Sequence, residues 1–290
     1  MDATLEARWP QELTDAIIDH LAGDRRTLKA CSLVCKAWVP RSQQLIHAEV
    51  NISFKHLKTR VDAALPLSVA RYVKAIRLHG KAPINKQSTE SWDALSHFPN
   101  IHRVTFELLC LGDIFSFELL PTLNLPSIFA RTTHLIINEV HMQGYDMYHR
   151  FLLCFPAVTH LEVAAIVPLI DWGHDMPSLA GPNPTQHPLY DNARAFASSI
   201  QSLRINFLSY SSRKPDLHCL LPLFPAGYCS VKRLSIAGWS LERISLVKTL
   251  LAAFTETLED LEIPMHDQED RDLALDPETL FPMSALGMSV

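Results

Sequence analysis

The sequence predicts an α/β chain: a short all-helical N-terminal module, then strand–helix units stacked into a parallel strand array. Three observations carry this prediction. A six-residue pattern, apolar-x-x-apolar-x-apolar, recurs through residues 47–264 at a period near 29. Amphipathic helical stretches lie between its copies, as a strand-plus-helix repeat requires. Residues 1–46 lack the pattern and read instead as consecutive short helices.

In the N-terminal stretch, "PQELTDAIIDHLAG" opens with Pro10, favourable at a helix start, and closes on Gly23, a helix terminator. Leu13, Ile17 and Leu21 form an i, i+4, i+8 stripe. "DRRTLKACSLVCKAW" begins at Asp24, a good N-cap, and the pattern predicts one helix from there to Pro40. On it Leu28, Cys31 and Cys35 share one face, while Val34 and Trp38 share another. Two or three short helices within about 40 residues are marginal alone, which suggests an obligate partner.

Seven segments carry the repeat: "VKAIRL" (73–78), "IHRVTF" (101–106), "TTHLII" (132–137), "VTHLEV" (158–163), "IQSLRI" (200–205), "VKRLSI" (231–236) and "LEDLEI" (258–263). Their fourth positions, residues 76, 104, 135, 161, 203, 234 and 261, are separated by 28, 31, 26, 42, 31 and 27. "AEVNIS" (48–53) reads as an eighth member, with Val50 standing 26 before Ile76. The last three positions of each unit alternate apolar, polar, apolar, as a half-buried strand does. "STESWDALSHF", "DMYHRFLLCF" and "LERISLVKTLLAAFTETL" supply helices, the last with Leu246, Leu250 and Phe254 on one face. In "FPNIHRVTF" and "FPAVTHLEV" the proline stops the helix and sets up the strand.

The 42-residue interval has a local cause. Residues 168–188 hold five prolines and two glycines, so an inserted loop is expected there, with Trp172 as its candidate contact residue. After residue 264 comes an acidic tail, 265–290. Its "DQEDRDLALDPE" places acids at positions 1, 3 and 12 of a calcium loop, but Arg271 and Asp272 stand where a ligand and the turn glycine belong. "FPMSALGMSV" makes a poor polar cap for a stack of repeats.

Composition narrows the function classes. A net charge of −5 and a pI near 6.3 argue against a nucleic-acid surface, and "KHLKTR" (55–60) reads as solvated surface. Nine glycines, none closer than Gly173 and Gly181, leave no phosphate-cradling loop. G-x-S-x-G and H-E-x-x-H are also absent, so no catalytic residues are assigned. His218, Cys219 and Cys229 lie near one another, but no fourth zinc ligand stands at usable spacing. No cofactor or metal is expected. The six scattered cysteines read as free thiols in a reducing compartment. "MDATLEARWPQE" lacks an apolar leader, and residues 151–170 hold Pro156, His160 and Glu162, so no membrane span is expected.

Two resemblances follow from these residues. "WPQELTDAIIDHLAGDRRTLKACSLVCKAWVPRSQQLI" resembles an F-box of the fungal type. The family's Leu-Pro and Glu-Leu stand here as Trp9-Pro10 and Glu12-Leu13, its first-helix Ile and Leu as Ile17 and Leu21. Its Leu-Val-Cys-basic-x-Trp signature stands as Leu33, Val34, Cys35, Lys36 and Trp38. Trp9 departs from the usual leucine. The repeat region resembles an irregular leucine-rich repeat, whose units stack into a curved solenoid; a less curved α/β stack would show the same period.

The resemblance implies a substrate-recognition subunit of an SCF-type cullin–RING ubiquitin ligase, cytoplasmic or nuclear, and not itself an enzyme. Its partners would be a Skp-type adaptor, through it a cullin, and a target protein. The adaptor contact would involve Pro10, Leu13, Ile17, Leu21, Leu28, Val34 and Trp38. Strand alternation points Arg77, Thr105, Glu162, Arg204, Ser235 and Glu262 to one surface, with His79, Glu107, Asn138 and Asn206 two positions on. Their mixed signs suit a protein target better than a polyanion. A repeat scaffold or decayed paralogue that binds the adaptor without cullin is the alternative.

Overall fold

The structure, a computed structural model, describes residues 10–54, 67–80, 89–109, 124–142, 145–164, 166–168, 188–207, 220, 223–224, 227–238 and 244–263. The protein is mixed α/β, and its main sheet has eight strands.

Three helices open the chain: α1 (Gln11–Asp19), α2 (Arg25–Val34) and α3 (Val39–Ile46). Pro10 is the N-cap of α1, and the helix gives way to turns before Gly23. Asp24 caps α2 as expected, its carboxylate accepting from the Arg26 and Thr27 amides at 3.0 Å. Those bonds and the Thr27 hydroxyl hold the Asp24 carboxyl below its ordinary range, the Thr27 side chain contributing most. The single helix expected from Asp24 to Pro40 is instead two. Cys35 is extended at φ −159 and ψ 163, and Pro40 sits in the first turn of α3, where a proline has no amide to lose. Cys35 is therefore exposed rather than packed beside Leu28, whereas Cys31 is buried as expected. Ile18, Leu28 and Ile46 form the module's own core, with Leu21, Trp38 and Leu45 packed against it. The Arg41 guanidinium donates to both Asp19 carboxylate oxygens and ties α3 to the end of α1.

The repeat follows: β1 (Glu49–Ser53), α4 (Leu67–Ala70), β2 (Ala75–His79), α5 (Thr89–Ala94) with a 3-10 turn (Leu95–His97), β3 (Arg103–Glu107), α6 (Leu125–Ile128) and β4 (His134–Asn138). Next come β5 (Val140–Met142), α7 (Tyr145–Leu152), β6 (His160–Val163), β7 (Ile166–Pro168), α8 (Pro188–Ser199), β8 (Ser202–Asn206), β9 (Arg233–Ala237), α9 (Ile244–Phe254) and β10 (Asp260–Glu262). The main sheet runs β1-β2-β3-β4-β6-β8-β9-β10, in chain order, and every neighbouring pair is parallel.

The register is the one the spacing implies. Val50, Ile76, Val104, Leu135, Leu161, Leu203, Leu234 and Leu261 face one another in a single row across the sheet. The 42-residue interval adds nothing between β6 and β8 in the main sheet. The turn before each strand repeats as well. The carbonyls of Ala48, Lys74, His102, Thr133, Thr159, Gln201 and Lys232 each accept two successive amides from the next unit, at 2.8–3.1 Å.

Two departures from expectation concern that interval. Pro168 and Pro188 belong to β7 and α8 rather than to a loop, and β5 pairs with β7 as a small parallel sheet that strand periodicity did not reveal. Pro168 lies in one strand of a two-stranded sheet, an edge strand where a missing amide is tolerated. The interior of the expected loop with Trp172, the segment 55–60, His218, Cys219 and the tail 265–290 lie outside the described residues.

Burial is one-sided. In β2, β3, β4, β8 and β9 the second and fourth residues are buried and the other three are not. Parallel sheets are commonly covered on both faces; here the apolar side of each strand joins one continuous core from Ile52 to Phe254 that includes Leu246, Leu250 and Phe254 of α9. At about 1.5–3 kcal/mol per buried side chain, a strand's two inward residues contribute roughly 3–6 kcal/mol of binding to its neighbours. An aromatic group thickens the middle of this core. Trp92 lies 4.9 Å from Phe54 and 6.3 Å from Phe106, and Phe129 stacks on Phe155 at 4.6 Å. Phe98, Phe129 and Phe155 each stand five residues before a strand, so the aromatic stopper preceding the strand is itself a repeated core element.

Leu108 and Glu139, each one residue past its strand, adopt left-handed backbone at φ 50, and Gly238 takes the equivalent place at φ 65. A side chain there costs about 1–2 kcal/mol. The Leu108 amide recovers part of this by donating to the Asn138 carbonyl at 3.0 Å.

Candidate functional site

Two surfaces stand out, one apolar and one polar. On the helical module the apolar residues of α1 are divided between core and surface. Ile18 turns inward, while Leu13 is 51% and Ile17 45% exposed. At the end of α2, Leu33 is 86% and Val34 63% exposed. The Gln11 side chain donates to the Ala37 carbonyl at 3.3 Å, which brings the first turn of α1 against the turn that follows Val34. Pro10 is exposed beside them.

The remaining residues expected to contact an adaptor are more buried. Leu28 is 1% exposed and lies in the module's core, so it supports the surface from beneath instead of forming it. Leu21 and Trp38 are half-buried against the same core. The reason is helical geometry: α2 turns its i, i+3 pair Leu28 and Cys31 to one face, and Leu28 there meets Ile18 of α1 and Ile46 of α3. Leu33, beside the expected Val34, is the more exposed residue.

The second surface is the polar face of the main sheet, opposite the core, whose side chains are half-buried or exposed. Its middle row reads Asn51, Arg77, Thr105, Ile136, Glu162, Arg204, Ser235 and Glu262 across neighbouring strands. Two residues further on stand Ser53, His79, Glu107, Asn138, Asn206 and Ala237. All the expected target-contact residues except Trp172, which lies outside the described residues, are on this face. Arg77 sits between Glu107 and Glu49, at 3.5 and 3.8 Å, and the Ser235 hydroxyl donates to Glu262 at 2.9 Å. These are exposed contacts worth under about 1 kcal/mol each, so they order the surface more than they stabilise the fold. Ile136 is the one apolar residue in that row.

A third row was missed: Glu49, Ala75, Arg103, His134, His160, Ser202, Arg233 and Asp260. The signal was available. Carrying the period-two alternation one residue back from each motif's fourth position lands on these side chains. The His134 and His160 rings stack with centroids 4.2 Å apart and 8° between planes. Burial foremost, then the neighbouring His160, Arg103 and His102, lowers the His134 pKa; burial and Arg233 lower that of His160.

Elsewhere the chemistry is quiet. Burial pushes the Cys154 thiol up to about 12 and that of Cys229 to about 11, far from the thiolate form a nucleophile or ligand needs. Among the described residues no three His, Cys, Asp or Glu side chains gather as a metal would require, and no helix is long and apolar enough to cross a membrane. No protein-family model and none of the curated proteins matches the chain.

Proposed function

We propose that the protein is a substrate-recognition subunit of an SCF-type cullin–RING ubiquitin ligase, acting in the cytoplasm or nucleus. Its helical module is an F-box that binds a Skp-type adaptor and through it a cullin. Its sheet is a leucine-rich-repeat-like array that presents a target protein. The subunit is not an enzyme. It supplies proximity, raising the target's effective concentration at an active site carried by other subunits.

One observation carries the reading. The module fills its own core with Ile18, Leu28 and Ile46, yet leaves Leu13, Ile17, Leu33 and Val34 in solvent. Large apolar side chains left outside so small a helical unit mark a partner-binding surface. They are the residues that the F-box resemblance assigns to adaptor contact or to its Leu-Val-Cys signature. Parallel strands in chain order, each contributed by one repeat, support the leucine-rich-repeat-like part, and the polar sheet face suits capture of a protein.

The test is Leu13→Asp combined with Ile17→Asp in the full chain, with affinity purification scored for adaptor and cullin. Two central contacts at about 2 kcal/mol each correspond to a loss of several hundredfold in affinity, so adaptor should vanish from the eluate. Both side chains are solvent-facing, so the melting temperature of the variant should match the parent's. Adaptor recovered at parental levels would overturn the proposal. Parent chain that retains adaptor without cullin would assign it to the scaffold alternative.

A further inference from the structure

From the row of Arg103, His134, His160, Ser202 and Arg233 we infer that the polar sheet face binds an acidic peptide segment of a partner protein, and binds it more tightly as pH falls. This names the chemistry of the target and so rests on the proposal that the face captures one.

The geometry begins with two repeated threonines. The Thr133 hydroxyl reaches the His102 carbonyl at 3.3 Å and His134 Nδ1 at 2.9 Å; the Thr159 hydroxyl reaches the Thr133 carbonyl at 3.4 Å and His160 Nδ1 at 2.8 Å. Each hydroxyl has one proton, and we assign it to the carbonyl of the preceding unit, which can only accept, whereas the imidazole Nδ1 can donate. Its oxygen then accepts from the imidazole Nδ1–H. That tautomer leaves Nε2 of both rings without a hydrogen-bond partner among the described residues. Protonation turns each Nε2 into a donor, and two such donors stand side by side on adjacent strands.

The surrounding charges favour an anion. Arg103 flanks His134 on β3, with His102 one residue earlier, and Arg233 lies beyond Ser202 on the other side of His160. Arg103 and Arg233 are exposed, and among the described residues no carboxylate pairs with either. Acids border the row without interrupting it. Glu49 lies at the β1 edge, Asp260 beside Arg233 at the β10 edge, Glu162 two residues beyond His160 and Glu107 four beyond Arg103. Lys232, next to Arg233, is paired with Glu259 at 2.8 Å. Four strand spacings of about 4.8 Å separate Arg103 from Arg233, roughly 19 Å, which an extended peptide at about 3.3 Å per residue spans with six residues.

The pH dependence follows from the same packing. With their rings partly desolvated and their neighbours cationic, His134 and His160 resist protonation and titrate below the ordinary 6.5. Folded stability from this source is therefore present above pH 6.5 and falls as pH drops through and below it. A carboxylate seated on the row supplies the missing counter-charge and raises both values. Peptide binding then takes up protons and strengthens on acidification.

The experiment uses the full-length chain and fluorescent hexaglutamate, with hexalysine as control, read by anisotropy at pH 8 and pH 6. We expect hexaglutamate alone to bind, at least about fivefold more tightly at pH 6. Arg103→Glu with Arg233→Glu should weaken binding by about tenfold or more at both pH values, with unchanged thermal melting. His134→Gln with His160→Gln should keep binding but flatten its pH dependence. Absent binding, or a charge-reversed variant that binds like the parent, would overturn the inference; a pH dependence that survives the glutamine changes would overturn its histidine part. If neutralising Asp267, Glu269, Asp270 and Asp272 tightens hexaglutamate binding tenfold, the occupant is the chain's own acidic segment and the partner assignment falls. Adaptor co-purification does not read this row. Its retention beside failed peptide binding would leave the proposed ligase role standing.

Discussion

The helical module and the sheet bury apolar surface by opposite rules. In the module, α1 sends Ile18 inward and leaves Leu13 and Ile17 outside, so its apolar residues are divided between core and solvent. In the sheet the division is clean: the inward residues of the strands join one core, and the outward ones are almost all polar. The difference reflects geometry. Three short helices can enclose only a small volume, whereas each added strand extends a core that its neighbour already started. A unit of the first kind offers an apolar contact surface and little stability; a unit of the second kind offers a rigid polar surface.

Three substitutions would sharpen or break this contrast. The largest effect belongs to Trp92→Ala, which removes the fully buried ring that touches Phe54, Phe106 and Phe129. A loss of about 3–5 kcal/mol is expected, seen as a lower urea midpoint for the sheet. A loss below about 1 kcal/mol would mean that the aromatic group is not a shared core. Next comes Ile18→Ala, at about 2–4 kcal/mol, applied to a unit with little in reserve. Amide exchange should lose protection across α1 to α3 while β2 to β9 keep theirs; uniform loss through the chain would show that the two cores unfold as one. The smallest change has the opposite sign. Thr132 occupies the column filled by Val73, Ile101, Val158, Ile200 and Val231, and its buried hydroxyl has no hydrogen-bond partner among the described residues. Thr132→Val should stabilise by about 1 kcal/mol, measured as a raised melting temperature, because it removes an unsatisfied polar group without changing shape. A lowered melting temperature would mean that the hydroxyl is needed.

Much of this arrangement was legible beforehand. The repeat positions from Val50 to Leu261 pair in the register that their spacing implied, since a parallel repeat can align its apolar pattern in only one way without turning inward residues out. The insertion before β8 was legible from its prolines as an interruption, though the β5–β7 sheet was not, because three-residue strands carry too little periodicity to read. The break at Cys35 was missed for a related reason: helical spacing continues through residues 35–38 in the sequence while the backbone does not. On the candidate surfaces, Arg77, Glu107, Glu162, Arg204 and Glu262 were found by alternation. Arg103, His134, His160 and Arg233 were overlooked because the alternation was not carried one residue further back.

The sequence by itself determined the strands of the main sheet, their register and the side each of their residues faces, because these depend on local periodicity and on the need to hide apolar side chains. Only the tertiary structure decided which residues of α1 and α2 stay outside and which rings stack. Whether Leu28 is core or surface depends on where α3 lands, and whether two histidines meet depends on strands 26 residues apart in the chain lying side by side. Such outcomes belong to packing between elements, and no single element's periodicity encodes them.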